Sequence, residues 1–305
     1  MDRTITYPIT KEQQIGQFLK SKGYSDQNLV DLRKDTDAVL CDGRPARLID
    51  YVSSGDTLTV QIREKKKSNV KPTDIPIDIL YEDEDLAIVN KPAGLPIHPS
   101  RKNELHSLGN AMSYYYRQEK FVFRCTNRLD QDTSGLTIVA KNPLSAGILS
   151  EMSARKEIRR TYLAIVSGIV EPTTGTIDAP IGRCEIASPD MKRFIDPLHG
   201  QQAVTHYRVL DCAQGHSLIE LELETGRTHQ IRVHMKYLGY PLIGDYLYHP
   251  DMTYIGRQAL HAWKLEFEHP ITGDKLEYTA PLPQDMRQAM KQIGLGNLYD
   301  HYTTG

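Results

Sequence analysis

The chain has 305 residues, with 37 Lys plus Arg against 39 Asp plus Glu and 39% hydrophobic content, proportions that fit one globular protein of about two domains and exclude a fibrous or disordered chain. A net charge of −2 gives no global attraction to nucleic acid or an anionic membrane, so any polyanion must be held by a local basic surface.

The opening MDRTITYPITKEQQ has no apolar core for a signal peptide, and no apolar run approaches the roughly 18 residues of a membrane span. Cysteines stand at 41, 125, 184 and 212 with no Cys-x-x-Cys pair, which argues against a zinc site or a disulfide framework and for a reducing cytoplasm. A protein neither exported nor embedded is expected.

Thr10 and Gln13 can form a capping box for a helix burying Ile15, Phe18 and Leu19. A second helix is predicted from Ser25 or Asp26, burying Leu29 and Leu32. Then come Ala38 to Cys41, an Asp42-Gly43 turn, and a strand in which Leu58, Val60 and Ile62 alternate with polar residues. Residues 63–76, REKKKSNVKPTDIP, form a charged stretch with two prolines, read as a linker. The predicted division is a small domain over 1–62, the linker, and a second domain over 77–305.

Beyond the linker, apolar runs at Leu86 to Val89, Leu136 to Ala140 and Leu163 to Val166 predict strands. In LIELELE, Ile219, Leu221 and Leu223 alternate with Glu220, Glu222 and Glu224, so one face of that strand should be buried and the other wet. Helices are predicted around Leu144 to Met152, Thr228 to Leu238 and Gln284 to Ile293, too few and too irregular for a doubly wound parallel sheet. The expected class is α+β with a mixed, mainly antiparallel sheet.

Two segments concentrate reactive side chains. In NRLDQDTSGL (127–136), Arg128 and Asp130 lie two apart before an apolar strand and would point the same way in extended backbone; on spacing alone, ordinary turn formation by Asp, Thr, Ser and Gly is the favoured explanation. In ETGRTHQIRVH (224–234), Thr228 can cap a helix that buries Ile231, Met235 and Leu238 and ends at Gly239. His229 and Arg232 then share another face. A cation on the first turn of a helix calls for an anion, either a surface salt-bridge partner or a functional carboxylate or phosphate.

From Lys120 to Arg160 eight Lys plus Arg face four acids. The run Arg155, Lys156, Arg159, Arg160 is therefore expected to be a phosphate-binding face, with a solvated helix face as the alternative. No P-loop, Gly-x-Gly-x-x-Gly, Gly-x-Ser-x-Gly or His-Glu-x-x-His occurs, and the eleven histidines do not cluster at metal spacing.

Residues 1–62 resemble the S-four-like RNA-binding domain, whose V-x-V-[ND]-G and G-D-x-[IL]-x-[VI] patterns are matched by AVLCDG and GDTLTV. Their second helix departs from that pattern by carrying Asp26, Asp31 and Asp35 beside Arg33 and Lys34. The remainder resembles the RluA/RluD-type RNA pseudouridine synthases through YEDEDLAIVNKPAGLPIHPS (81–100), NRLDQDTSGL (127–136), RTYLAIVSG (160–168), RFIDPLHGQQAVTHYRVL (193–210) and LETGRTHQIRVHMKYLGYPLIGDYLY (223–248), in that order. That family usually has His where Asn127 stands and Gly-Lys where Gly200-Gln201 stands.

The resemblance implies a catalytic domain with a central cleft that isomerises uridine in RNA to its carbon-linked form without cofactor or metal. It implies Asp130 as nucleophile, Arg232 as its partner and Tyr162 as the residue that stacks on the flipped base. Arg128, Leu129, Thr133, Arg227 and His229 are the implied substrate contacts. The implied partner is structured RNA, ribosomal large-subunit RNA ahead of transfer RNA, bound by a monomer. A catalytically silent RNA-binding or ribosome-assembly factor on the same scaffold is the alternative, and so is an acid/base hydrolase using His229 and Asp130.

Overall fold

The computed structural model describes residues 1–100, 103–183 and 192–296, so Cys184 and the end of the expected second domain lie outside the described residues. The first 62 residues supply β1 (Arg3–Pro8), β2 (Gln13–Gln14), α1 (Ile15–Ser21), α2 (Asp26–Arg33), β3 (Val39–Cys41), β4 (Arg44–Pro45), β5 (Tyr51–Val52) and β6 (Thr57–Ile62). Four of these strands form a sheet in the order β1-β6-β3-β4. At the predicted hairpin turn Asp42 and Gly43 have φ of 48° and 77°, the positive values that the tight two-residue turn demands. Ser25 caps α2, its hydroxyl accepting from the Asn28 N–H while Asn28 Oδ1 accepts from the Ser25 N–H.

The start of α1 differs from the expected Thr10/Gln13 capping box. Gln13 and Gln14 pair with β5, and no side chain caps the helix. Backbone does the work instead: the Ile15 and Gly16 N–H groups donate to the carbonyls of Asp50 and Leu48 at 3.0 and 2.8 Å, satisfying donors that a helix leaves open at its first turn. Strand β1 was not anticipated; it pairs along β6 with Ile5 opposite Val60.

The rest of the chain supplies β7 (Asp78–Glu82), β8 (Leu86–Lys91), α3 (Leu108–Tyr115), β9 (Ser134–Ala140), α4 (Pro143–Ala154), β10 (Arg159–Ser167), β11 (Thr174–Asp178), β12 (Ile181–Arg183), β13 (Arg193–Ile195), β14 (Val204–Ala213), β15 (His216–Leu223), α5 (Gln230–Tyr237), β16 (Leu260–Glu268), β17 (Lys275–Thr279) and α6 (Gln284–Ile293). Nine strands make one sheet, in the order β11-β14-β15-β10-β16-β9-β8-β7 with β17 beside β16. Every pairing is antiparallel except β16 with β9, which run parallel at His261–Ser134 and Ala262–Gly135. The fold is therefore α+β with a mixed, mainly antiparallel sheet.

Both faces of the sheet are covered at its centre. One carries Val89, Val139, Tyr162, Ala164, Ile219 and Leu221 together with Ile231 and Met235 of α5. On the other, Leu163, Ile165 and Leu218 pack against Met286, Ala289, Met290 and Ile293 of α6. Leu218 is thus buried where the expected wet face of β15 begins, because α6 reaches it, while Glu220 and Glu222 remain half-buried. Further along, Ile138, Leu144, Ile148 and Leu149 share one apolar cluster with Ile5, Leu19, Leu29 and Leu32 of the first 62 residues.

Two glycines admit close backbone crossings. Gly135 has φ 108°, and a Cβ there would sit 2.2 Å from the Ala262 carbonyl oxygen; Gly244, at φ 70°, would meet the Arg257 carbonyl oxygen at 2.1 Å. Neither obstacle is a movable side chain, so alanine at either position must displace β16 or the segment leading to it. Gly239, at φ 91° with open space around it, faces only the left-handed backbone penalty. Urea unfolding should therefore show losses of about 3 kcal/mol or more for Gly135→Ala and Gly244→Ala against about 1–2 kcal/mol for Gly239→Ala; equal losses at all three would contradict the crossing.

Candidate active site

Three chain segments meet around Asp130, the first about a hundred residues before the other two. The first is the turn before β9. Its base is bolted by Asn127, whose Oδ1 accepts from the Thr137 hydroxyl and the Ile138 N–H, both at 3.1 Å. The Thr133 N–H donates to the Asp130 carbonyl at 3.1 Å to close the turn. Outside groups then take the carbonyls that follow: Lys91 Nζ donates to Gln131 O at 2.9 Å, and Arg257 Nη1 to Asp132 O at 3.0 Å.

The second segment is the turn into α5, where the expected Thr228 cap is corrected. Thr228 does not cap the helix; α5 starts at Gln230, preceded by His229 in left-handed backbone at φ 58°. The cause is Gln230, almost fully buried. Its Oε1 accepts from the Arg227 N–H and the Thr225 hydroxyl at 2.9 and 2.8 Å, and its Nε2 donates to Val204 O and Thr205 Oγ1 at 3.0 Å. Pinning this side chain forces the reversal onto His229, a conformation that costs of order 1–3 kcal/mol for a non-glycine residue.

Arg232 lies one turn further on and is 2% exposed. Its Nε and Nη2 donate to Asp245 Oδ2 and Oδ1, each at 2.7 Å, and its Nη1 donates to Asp130 Oδ2 at 2.9 Å. Burial alone would lower the Arg232 pKa, but the hydrogen bonds and charge of Asp245, then the charge of Asp130, raise it above its ordinary value. The anion expected to compensate a cation on this first turn is therefore a pair of carboxylates, one of them supplied by the third segment. Asp245, which the sequence reading did not single out, is wholly buried and also accepts from the Leu247 and Tyr248 N–H groups at 3.1 and 3.2 Å.

Asp130 Oδ1 receives no hydrogen bond from the described residues. The pocket around it is lined by Arg128, Leu129, Thr133, Tyr162, Arg227, His229, Gln230, Ile231 and Arg232, among others. All eight predicted site residues thus come together. His229 Nε2 stands 3.9 Å from Asp130 Oδ2, and its Nδ1 lies 3.0 Å from the Tyr248 hydroxyl, which accepts from the Arg193 N–H. Burial lowers the His229 pKa, partly opposed by the charge of Asp130. Tyr162 sits on β10 at a register shift against β16, buried, with no hydrogen bond to its hydroxyl among the described residues; burial raises its pKa.

The pocket is small, about 50 Å³, and its mouth is bridged where Arg128 Nη2 donates to Thr228 Oγ1 at 3.2 Å. A larger hollow of about 890 Å³ lies beyond Ser134, beside Lys91, Arg257 and His261. Those groups are already engaged within the protein. Lys91 donates to Pro92 O, Leu95 O and Gln131 O, and burial pushes its pKa down to about 7. Arg257 is paired with Asp285 at 2.6 Å, and His261 Nδ1 lies 2.9 Å from Ser134 Oγ. Neither Lys91 nor Arg257 was anticipated, because what they hold are backbone carbonyls.

The predicted phosphate-binding face is corrected. Arg155 pairs with Glu151 at 3.0 Å, Lys156 with Glu224 at 2.7 Å and Arg159 with Glu222 at 3.1 Å, while Arg160 is largely buried and donates to Ser153 Oγ. Glu222 is on β15, which pairs with β10, and Glu224 lies just past its end, so both are more than sixty residues from their partners in sequence. Local charge is therefore nearly balanced there.

Known proteins share both the sequence and the fold. Residues 85–237 match the family model described as RNA pseudouridylate synthase. The uncharacterized RNA pseudouridine synthase YhcT of Bacillus subtilis (strain 168) is 43% identical over 77% of this chain and 78% of its own length. Ribosomal large subunit pseudouridine synthase D of Escherichia coli (strain K12) is 38% identical over 85% of this chain and 82% of its own. Among solved structures, human RNA pseudouridylate synthase domain containing 4 superposes with a TM-score of 0.58 at 25% identity, covering 71% of this chain and 93% of that one. With Asp130, Tyr162 and Arg232 gathered in one pocket and the family motifs in their expected order, the chain belongs to the RNA pseudouridine synthases of the RluA/RluD type.

Proposed function

We propose that this enzyme isomerises specific uridines to pseudouridine in ribosomal large-subunit RNA, with Asp130 as the nucleophile, acting as a cytoplasmic monomer. The observation that carries the reading is the Asp130 carboxylate, held through Oδ2 by a buried Arg232 and open through Oδ1 to the pocket. Support for the ribosomal target comes from the relative named ribosomal large subunit pseudouridine synthase D. No helix among the described residues is long and apolar enough to cross a membrane.

The roles follow from position. A uridine in a helix must leave its stack. Arg128, at the mouth, fills the gap with a planar cation, and in doing so gives up its bond to Thr228 and widens a pocket too small for a pyrimidine as it stands. Asp130 then attacks either the anomeric carbon or the uracil ring. Tyr162 stacks on the base and takes the proton from carbon five once the new bond has formed. Leu129 and Thr133 wall the base, while Arg227 and His229 contact the nucleotide at the rim. Residues 1–62 serve as an accessory RNA-contacting unit docked on the catalytic domain of 77–305 through the 63–76 connection. A catalytically silent RNA-binding factor would have no use for a buried cation spent on orienting one carboxylate.

Asp130→Asn should fold normally and bind RNA, yet lose turnover by roughly 10⁴-fold or more, because an amide of equal size is no nucleophile; appreciable activity would sink the assignment. Mapping pseudouridines in total RNA from cells with and without the gene decides between ribosomal and transfer RNA. Asp245→Asn leaves Arg232 buried beside a neutral amide. We expect about 3–5 kcal/mol lost in urea unfolding and a fall in kcat, whereas wild-type values of both would show that the pair does not orient Asp130. In Tyr162→Phe the ring still stacks, so substrate binding should survive while product release stalls. Near-normal turnover would remove the proton-transfer role and leave stacking alone.

A further inference from the structure

The network of Asp130, Arg232 and Asp245 draws on the turn that carries Asp130 and on the turn that follows Gly244, and one residue reaches both. Arg257 stands in the segment that leads into β16 and is 8% exposed. Its main chain crosses the second turn: its carbonyl oxygen would lie 2.1 Å from a Cβ at Gly244, and the Ala259 N–H, two residues on, donates to Ile243 O at 3.0 Å. Its side chain reaches the first turn. Nη1 donates to Asp132 O at 3.0 Å, and also to Gln258 O and Leu260 O at 3.1 and 3.3 Å. Arg257 therefore sets the backbone next to Asp245 and the backbone two residues after Asp130.

The opposite edge of the guanidinium decides where it points. Nε and Nη2 donate to Asp285 Oδ2 and Oδ1 at 2.6 and 2.9 Å, a paired fork that fixes the plane of the group as well as its charge. Although burial opposes it, the hydrogen bonds and charge of Arg257 hold the Asp285 carboxyl below its usual range, so the anchor is ionised at neutral pH. Asp285 lies in the first turn of α6, where the helix dipole also favours a carboxylate. α6 is fixed in its turn by apolar packing, since Met286, Ala289, Met290 and Ile293 share a cluster with Ile243 and Ala259, which flank the crossing at Gly244.

We infer that Arg257 is a positioning residue for the isomerisation: it joins the Asp130 turn to the Asp245 turn, so that the carboxylate and the Arg232 that orients it are kept in register by a residue bonded to neither, with Asp285 of α6 as the outer anchor. The inference rests on the reading of Asp130 as nucleophile. An ion pair that served only to close α6 onto the sheet would need no third nitrogen on the Asp132 carbonyl.

Two measurements on the full chain test this: kcat and KM on a uridine-containing stem-loop RNA, and native-state hydrogen exchange read by mass spectrometry on peptides covering 127–136 and 243–250. Arg257→Gln should lower kcat about 100-fold, the scale expected when a reacting group is displaced by about 1 Å, with KM within about twofold of wild type. Exchange should quicken in both peptides. Asp285→Asn, at a position 44% exposed, keeps the test open if Arg257→Gln does not fold; it should quicken exchange in the same two peptides and lower kcat about fivefold, a neutral amide being a weaker acceptor than a carboxylate. Ile293→Ala opens the packing of α6 about two turns from the clamp. It should lower the urea midpoint at least as far as Asp285→Asn, yet leave kcat within about twofold and both peptides as protected as in wild type. Wild-type kcat in the clamp variants, a loss of kcat in Ile293→Ala equal to that in Asp285→Asn, or faster exchange in only one of the two peptides would overturn the inference. A wild-type protein that makes no pseudouridine would instead defeat the reading of Asp130, and the paired exchange would still decide whether Arg257 joins the two turns.

Discussion

The structure turns on one buried cation. Arg232 is taken out of water and repaid by two carboxylates, Asp245 on two nitrogens and Asp130 on the third. A buried charge is tolerated only when its geometry and remaining hydrogen bonds are nearly complete, so this one group dictates much around it. It needs α5 to begin at Gln230, which bends the backbone at His229. It needs Asp245 fixed by the amides of the turn that follows, and that turn needs Gly244 to pass the Arg257 carbonyl. The Asp130 carboxylate is thus aimed by a chain of hydrogen-bonded groups.

The turn that carries Asp130 is fixed just as firmly from below. Lys91 and Arg257 grip successive carbonyls at Gln131 and Asp132, and Arg257 is anchored in turn by Asp285 of α6. A carboxylate placed this way loses little entropy when substrate arrives, the usual benefit of a prearranged reacting group. What remains adjustable is the rim: Arg128 and Arg227 are exposed, and a single hydrogen bond to Thr228 spans the mouth. The division is a floor held by many hydrogen bonds and an exposed edge held by few.

Much of this was legible in local sequence. Helices α2, α4 and α6, the Asp42-Gly43 hairpin and strand β15 follow from periodicity and turn chemistry. The pairing of Arg232 with an anion was foreshadowed by a cation placed at a positive helix end. What escaped was whatever depends on distant neighbours. Asp245 reads as a turn former in GDYLY, and only the fold reveals that it is buried against Arg232. Lys91 reads as a polar residue before a Pro-rich loop, since three backbone acceptors leave no mark in a sequence. The basic count from Lys120 to Arg160 misled because a window along the chain cannot see Glu222 on the strand alongside or Glu224 just past its end. The start of α1 failed for the same reason, its open donors being met by the carbonyls of Leu48 and Asp50.

Strand β16 follows both β9 and β10 in the chain, yet it lies in the sheet between them. Tyr162 and Arg232 belong to what lies on one side of it and Asp130 to the other. The two halves of the catalytic pocket cannot be joined before Leu260–Glu268 has been synthesised and inserted, with its parallel contact to Gly135 formed across more than a hundred residues. Contacts so distant in sequence are slow to form. A nascent chain on the ribosome therefore has no assembled site until β16 has emerged and inserted between its two neighbours.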